Sequence, residues 1–147
     1  MGKQITKNLK SEYYKLEEFT KSVTAAKLDI NNEPPMEVVS NLQYGVEMIL
    51  DPLRRCFGKP IVINSGYRCK ELNKAVGGVP NSWHQKGNAA DIKISSQPDA
   101  EKIFNILKNL PSVDTVLFEH SKAAQWLHVQ WDRTKSPRQH FNFNYKA

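Results

Sequence analysis

The sequence predicts a small α+β domain with a central, largely antiparallel sheet flanked by helices. Three observations carry this reading. The elements run helix, strand, helix, strand, helix, strand, strand; the apolar residues switch cleanly between a helical and an alternating period; and 147 residues, 39% apolar and 24% charged, have the size and make-up of one ordinary globular domain. A chain of that length buries roughly two thirds of its extended surface, so it folds without a disulfide framework or a structural metal. Residues 1–147 are read as a single domain, with 1–35 as an N-terminal arm too polar to build its own core and expected to pack on the body.

Within the arm, Leu16-Glu17-Glu18-Phe19 is one expected helical turn and Glu33-Pro34-Pro35 a breaker. The clearest helix follows, because Val39, Leu42, Val46, Ile49, Leu53 and Phe57 recur at three- and four-residue steps. Pro52 is expected to bend its last turns, and Gly58 and Pro60 to end it. Pro60 to Asn64 is rich in branched side chains and reads as a strand, with Ser65-Gly66-Tyr67-Arg68 as a turn. Lys70 to Val76 is a short helix stopped at Gly77-Gly78, and Val79 to Lys86 a loop. Ala89 to Ile94 is the next strand, its Ala90, Ile92 and Ile94 on the dry side and Asp91 on the other. Ser96 caps a helix with the apolar face Ala100, Ile103, Phe104, Leu107 and Leu110, closed by Pro111. Strands at Thr115–Phe118 and Trp126–Trp131 are joined through Glu119 and His120, and the tail Phe141-Asn-Phe143-Asn-Tyr145 is an edge strand or lies against the core.

No apolar run reaches the ~18 residues of a membrane span, and the first ten residues lack the apolar centre of a secretory signal. The chain is therefore read as cytoplasmic on synthesis, with no signal peptide. Cys56 and Cys69 are read as two reduced, partly buried thiols. Twenty-one Lys and Arg against fifteen Asp and Glu give +6, which favours encounter with a polyanion such as nucleic acid or the anionic polymers of a cell wall; a basic surface kept for solubility alone stays open. The basic residues are scattered from Lys3 and Lys7 onward, with no helix-turn-helix, zinc-finger or aromatic RNA-binding pattern, so nucleic acid has charge alone in its favour.

The chemistry-bearing residues are His84 and Asp91, within Ser82-Trp-His84-Gln-Lys-Gly87-Asn-Ala89-Ala90-Asp91, and His128, within Trp126-Leu-His128-Val. Two imidazoles and one carboxylate are the ligand types of a catalytic zinc site with one position left for water. Gly87 and Ala89 let the chain turn back after His84 and enter a strand, so that imidazole and carboxylate converge. His128 lies in an apolar setting where an unpaired ring is costly unless a metal or a hydrogen bond satisfies it. Hydrolysis also needs a general base. Glu119, at the end of the strand beside that of His128, is the best placed carboxylate, with Asp114, Asp132 and Glu71 as rivals. Arg68 grips a substrate carboxylate or steadies the oxyanion, or else pins the turn by pairing with a local aspartate. Ser82 binds substrate or fixes the ligand loop, Trp126 walls the site if it shares a face with His128, and Tyr67 is packing.

Taken together, Ser65-Gly66-Tyr67-Arg68, Leu72-Asn73-Lys-Ala-Val76-Gly77-Gly78, Ser82-x-His84-x-x-Gly87-x-Ala89-x-Asp91 and Trp126-Leu127-His128-Val129 resemble the zinc peptidase family of D-Ala-D-Ala carboxypeptidases, D-Ala-D-Ala dipeptidases and bacteriophage L-alanyl-D-glutamate endolysins. The likeness runs over about residues 13–131. It implies a hedgehog/DD-peptidase-like fold, one Zn2+ per chain held by His84, Asp91 and His128, Arg68 as the substrate anchor, and the peptidoglycan peptide stem as substrate. Much of the family places its acidic base three residues before the last histidine, where this chain has Gln125; an Asp-x-x-x-x-Glu phrase matches Asp114 and Glu119, and the role passes to Glu119. The implied protein is a phage or prophage endolysin-type endopeptidase acting at the wall after release, or carried on the virion. A D-alanyl-D-alanine carboxypeptidase and a non-catalytic, zinc-stabilised binding domain are the alternatives.

Overall fold

The computed structural model describes residues 8–144. Residues 1–7, which include Lys3, Lys7 and most of the segment searched for a signal, and Tyr145 of the aromatic tail lie outside the described residues. In chain order the elements are α1 (Glu17–Thr20), α2 (Val23–Leu28), α3 (Met36–Gly45), a π-helical turn at Val46–Leu50, α4 (Asp51–Phe57), β1 (Ile63–Ser65), α5 (Lys70–Ala75), a 3₁₀ turn at Trp83–Lys86, β2 (Ala89–Lys93), α6 (Gln97–Lys108), β3 (Thr115–His120), β4 (Gln125–Gln130) and β5 (His140–Asn142). The strands form one sheet in the order β1-β2-β4-β3-β5. Every pairing is antiparallel except β3 with β5, which is parallel, so the sheet is mixed and largely antiparallel as the sequence predicts.

Strand alternation sorts the two faces of this sheet. Ala90 and Ile92 of β2, Val116 of β3, and Leu127 and Val129 of β4 are fully buried in one core with Leu42, Val46, Ile49, Leu50 and Leu53 of the long helical segment and Ile103 and Leu107 of α6. The intervening Asp91, Glu119 and His128 emerge on the opposite face. Helix and sheet approach closely at Gly45, where a Cβ would overlap the indole of Trp131, itself fully buried with its Nε1–H donating to Asn41 O at 2.8 Å.

The arm is tied to the body at several points. Phe19 is 1% exposed, and its carbonyl accepts the Tyr67 N–H at 2.6 Å. Buried Asn32 donates to Thr20 O and Tyr67 O and accepts from Cys69 N–H. Tyr14 donates its hydroxyl to Ile61 O, and Ser11 donates to Asp51.

Several boundaries differ from expectation, each for a local reason. The expected helix over 39–57 is divided: Pro52 has no amide hydrogen, and the turn before it widens so that Asp51 N–H reaches Val46 O, five residues back. The first strand is Ile63–Ser65 and not Pro60–Asn64, since Val62 is 53% exposed and the register is irregular where β1 joins β2. The expected loop 79–86 holds the 3₁₀ turn, and α2 arises from a Ser22 cap that accepts the Ala25 N–H at 3.1 Å. β3 runs on through Glu119 and His120, and β4 spans Gln125–Gln130. The tail does both things expected of it: β5 is an edge strand, and Phe141 and Phe143 pack on Phe104. Both cysteines are free, but Cys56 is exposed, on the solvent side of α4, and only Cys69 is partly buried. Among the described residues no helix is long and apolar enough to cross a membrane.

Candidate metal centre

The site is built where the chain leaves β1 and where it enters β2. In Ser65-Gly66-Tyr67-Arg68 the backbone runs beside the 3₁₀ turn, Arg68 N–H donating to His84 O at 3.1 Å and Gly66 O accepting from His84 Nδ1 at 2.6 Å. Ser82 starts that turn, its hydroxyl accepting the His84 N–H at 3.2 Å. Gly87 ends it with φ 72°, a left-handed backbone that glycine adopts without strain. It also lies against helix α3, where a Cβ would come 2.8 Å from Val38. The chain then enters β2 and presents Asp91 directly across from His128 on β4.

Three side chains from three segments thereby converge. His84, Asp91 and His128 place one ligand atom each within 4.8 Å of one another. His128 Nδ1 stands 2.8 Å, and His84 Nε2 3.4 Å, from Asp91 Oδ1. Both rings are buried, His84 to 2% and His128 to 9% exposure. Burial alone would raise the pKa of Asp91, but hydrogen bonds from His128 and His84 outweigh it and hold the carboxyl well below its usual range. For His128, burial opposes the charged ring, yet the hydrogen bond to Asp91 prevails and its pKa is raised.

The outer nitrogens of the two rings are already engaged. His84 Nδ1 donates to Gly66 O, and His128 Nε2 donates to Gln130 Oε1 at 2.7 Å, so Nε2 of His84 and Nδ1 of His128 are the atoms turned toward Asp91. Two imidazole nitrogens and a carboxylate oxygen, oriented by hydrogen bonds from behind, are a donor set that suits zinc and leaves coordination positions for solvent or substrate. Gly66 O and Gln130 were not singled out in the sequence. A backbone carbonyl carries no residue-type signal, and the one clue to Gln130 was its place two residues after His128, on the same strand face.

Glu119 lies opposite Trp126 in the ladder. Its Oε1 is 3.7 Å from His128 Nδ1 and accepts the Trp126 indole N–H at 3.3 Å, while the side chain is 43% exposed. Trp126 and His128 do share a face, and the indole reaches the site through Glu119. Arg68 extends an Nη2 to Ser82 Oγ at 3.4 Å, and its buried Nε has no hydrogen-bond partner among the described residues. Burial lowers its pKa, against the opposing fields of Asp91 and Glu119. The rival carboxylates have other engagements: Asp114 is bound by Arg138 and Thr115, Asp132 accepts from Thr134, and Glu71 is exposed in the first turn of α5. Gln125 pairs with His120 at the hairpin end, where β3 turns into β4. Tyr67 is 7% exposed, in keeping with packing.

A family model described as Peptidase M15 matches residues 12–130. A protein of Streptomyces albus G, named zinc D-Ala-D-Ala carboxypeptidase, is 45% identical over 49 residues, which span 33% of this chain and 19% of that protein.

Proposed function

The chain belongs to the peptidase M15 family, and from that membership and the geometry of the centre we propose that it is a zinc peptidase that hydrolyses an amide bond in the peptide stem of peptidoglycan. The observation that carries the reading is the convergence of His84 Nε2, Asp91 Oδ1 and His128 Nδ1, each ring held from behind by a separate acceptor. These three residues would hold one zinc ion. When bound, zinc supplies Lewis acidity toward a carbonyl oxygen and toward water.

The remaining steps belong to the protein's own groups. Glu119, close to His128 and steadied by Trp126, is the base that takes a proton from water and returns it to the leaving nitrogen. Its partial exposure keeps it within reach of solvent. Arg68 is the group that meets a substrate oxygen, and Ser82 holds both the guanidinium and the start of the ligand turn. Trp126 forms one wall of the site.

On specificity we favour cleavage within the stem, the endolysin-type reaction, with the protein acting at the wall after release or from a virion. A second reading, removal of a terminal D-alanine, is favoured by the partial likeness to the zinc D-Ala-D-Ala carboxypeptidase of Streptomyces albus G. Digesting purified peptidoglycan with the zinc-loaded chain and weighing the products separates them, since internal cleavage releases stem fragments and carboxypeptidase action releases free D-alanine alone. The Glu119→Gln variant is expected to keep its zinc and lose turnover by a factor on the order of 10²–10⁴. Undiminished hydrolysis in that variant removes Glu119 from the mechanism, and absence of any cleavage by the native zinc-loaded chain defeats the peptidase reading.

A further inference from the structure

We propose that Gln130 is a positioning residue that fixes the tautomer of His128, so that this ring meets zinc through Nδ1 whereas His84 meets it through Nε2. The inference rests on the metal-ligand reading above and assigns a residue that the sequence motifs do not include.

His128 and Gln130 are two residues apart on β4 and share a face, and Ala89, directly across from Gln130 on β2, is small enough to leave room for the longer amide. Gln130 is 8% exposed, and its Oε1 lies 2.7 Å from His128 Nε2. An amide oxygen only accepts, so it requires the hydrogen to sit on Nε2, and in the neutral ring that leaves the lone pair on Nδ1, 2.8 Å from Asp91. His84 is locked in the opposite sense: its Nδ1–H donates to Gly66 O, which in the neutral ring leaves the lone pair on Nε2. The two locks differ in kind. His84 is held by a backbone carbonyl, whereas His128 is held by a side chain that can itself be exchanged. The Gln130 acceptor is also neutral, so it orients the ring without adding a second negative charge behind it.

The experiment compares native chain, Gln130→Leu, Gln130→Asn and Gln130→Glu. Zinc affinity is measured by competition with a chelator, and long-range 1H–15N NMR of the zinc-loaded proteins shows which nitrogen of His128 carries hydrogen. The native ring is expected to carry it on Nε2. Gln130→Leu is expected to lose about 10–100-fold in affinity and the single tautomer. Gln130→Asn, whose acceptor is drawn back by one methylene, tests the same point with a smaller disturbance should the Leu variant not fold, and thermal unfolding of the metal-free proteins checks that each does. Gln130→Glu keeps an acceptor in place and is expected to recover both affinity and tautomer, which a purely packing role would not predict. Native affinity and an unchanged tautomer in folded Leu and Asn variants overturn the inference while leaving the metal centre standing. A native chain that binds no zinc overturns both.

Discussion

Gly66 contributes to the centre with a main-chain atom, so a substitution there acts through shape. A Cβ would sit 2.7 Å from the Cβ and carbonyl oxygen of Phe19, and neither can retreat, because Phe19 is 1% exposed and its carbonyl is bonded to Tyr67 N–H. Gly66→Ala must therefore move the β1 exit loop and withdraw the acceptor of His84 Nδ1. The expected result is a loss of roughly 1–3 kcal/mol in denaturant unfolding of the metal-free protein, together with weaker zinc binding in a chelator titration; an alanine variant matching the native chain in both would show that the loop does not set His84. At this scale the candidate cluster of His84, Asp91 and His128 was legible because its chemistry is written in residue type: imidazole and carboxylate, with Gly87 and Ala89 where the chain must turn and pass closely. The groups behind the ligands were not, because a carbonyl and an amide become specific only when the strands bring them to a ring nitrogen. Arg68 shows the intermediate case, since residue type alone leaves a guanidinium open to a substrate or to a local aspartate.

Helix α6 illustrates what elements owe to their ends. Ser96 is extended, its hydroxyl accepts the Asp99 N–H at 3.3 Å, and Pro98 sits in the first turn, where its missing amide hydrogen is harmless. Ser96→Ala should destabilise the domain by about 1 kcal/mol, read as a lowered thermal midpoint, and Ser96→Asp should retain the native value because a carboxylate caps equally well; an unchanged midpoint in Ser96→Ala would remove the cap from the balance. Such a start could be read directly, as could α5, stopped near Gly77, and β2, where Ala90 and Ile92 alternate with Asp91 and Lys93. What escaped were departures from a regular period. The stripe from Val39 to Phe57 continues through the π turn, since one widened turn changes the direction of the face without emptying it, and only Pro52 hinted at the break. The 3₁₀ turn that carries His84 is too short to show a period, and β1 is defined by pairing with β2 more than by its own composition.

On the scale of the whole molecule the sheet is completed by residues that lie beyond the family match. β5 adds to β3 in parallel, and the segment leading into it is anchored by Arg138, whose guanidinium holds buried Asp114 at 2.7 and 2.9 Å and Thr115 at 3.2 Å. The same guanidinium lies 5.3 Å from the Trp83 ring, so the closing strand is fastened to the turn that bears His84. Burial alone would raise the pKa of Asp114, but the Arg138 hydrogen bonds outweigh it and hold the carboxyl below its ordinary value of about 3.9. The sign of the linkage follows. In the window below about 3.9 the unfolded carboxyl takes up a proton that the native one refuses, so the stabilisation is fully present above that pH and is lost as pH falls through the native value. Because the Arg138 side chain is 61% exposed, the pair is screened, and its worth is roughly 1–2 kcal/mol. Asp91 and Asp132 are also held low, so a bare acid-unfolding curve mixes several groups. Comparing native chain with Asp114→Asn in denaturant from pH 7 to pH 2.5 isolates this one: the gap in stability should be constant near neutrality and close below about pH 4, whereas a gap that persists unchanged in acid would mean that Asp114 acts through shape and not through charge.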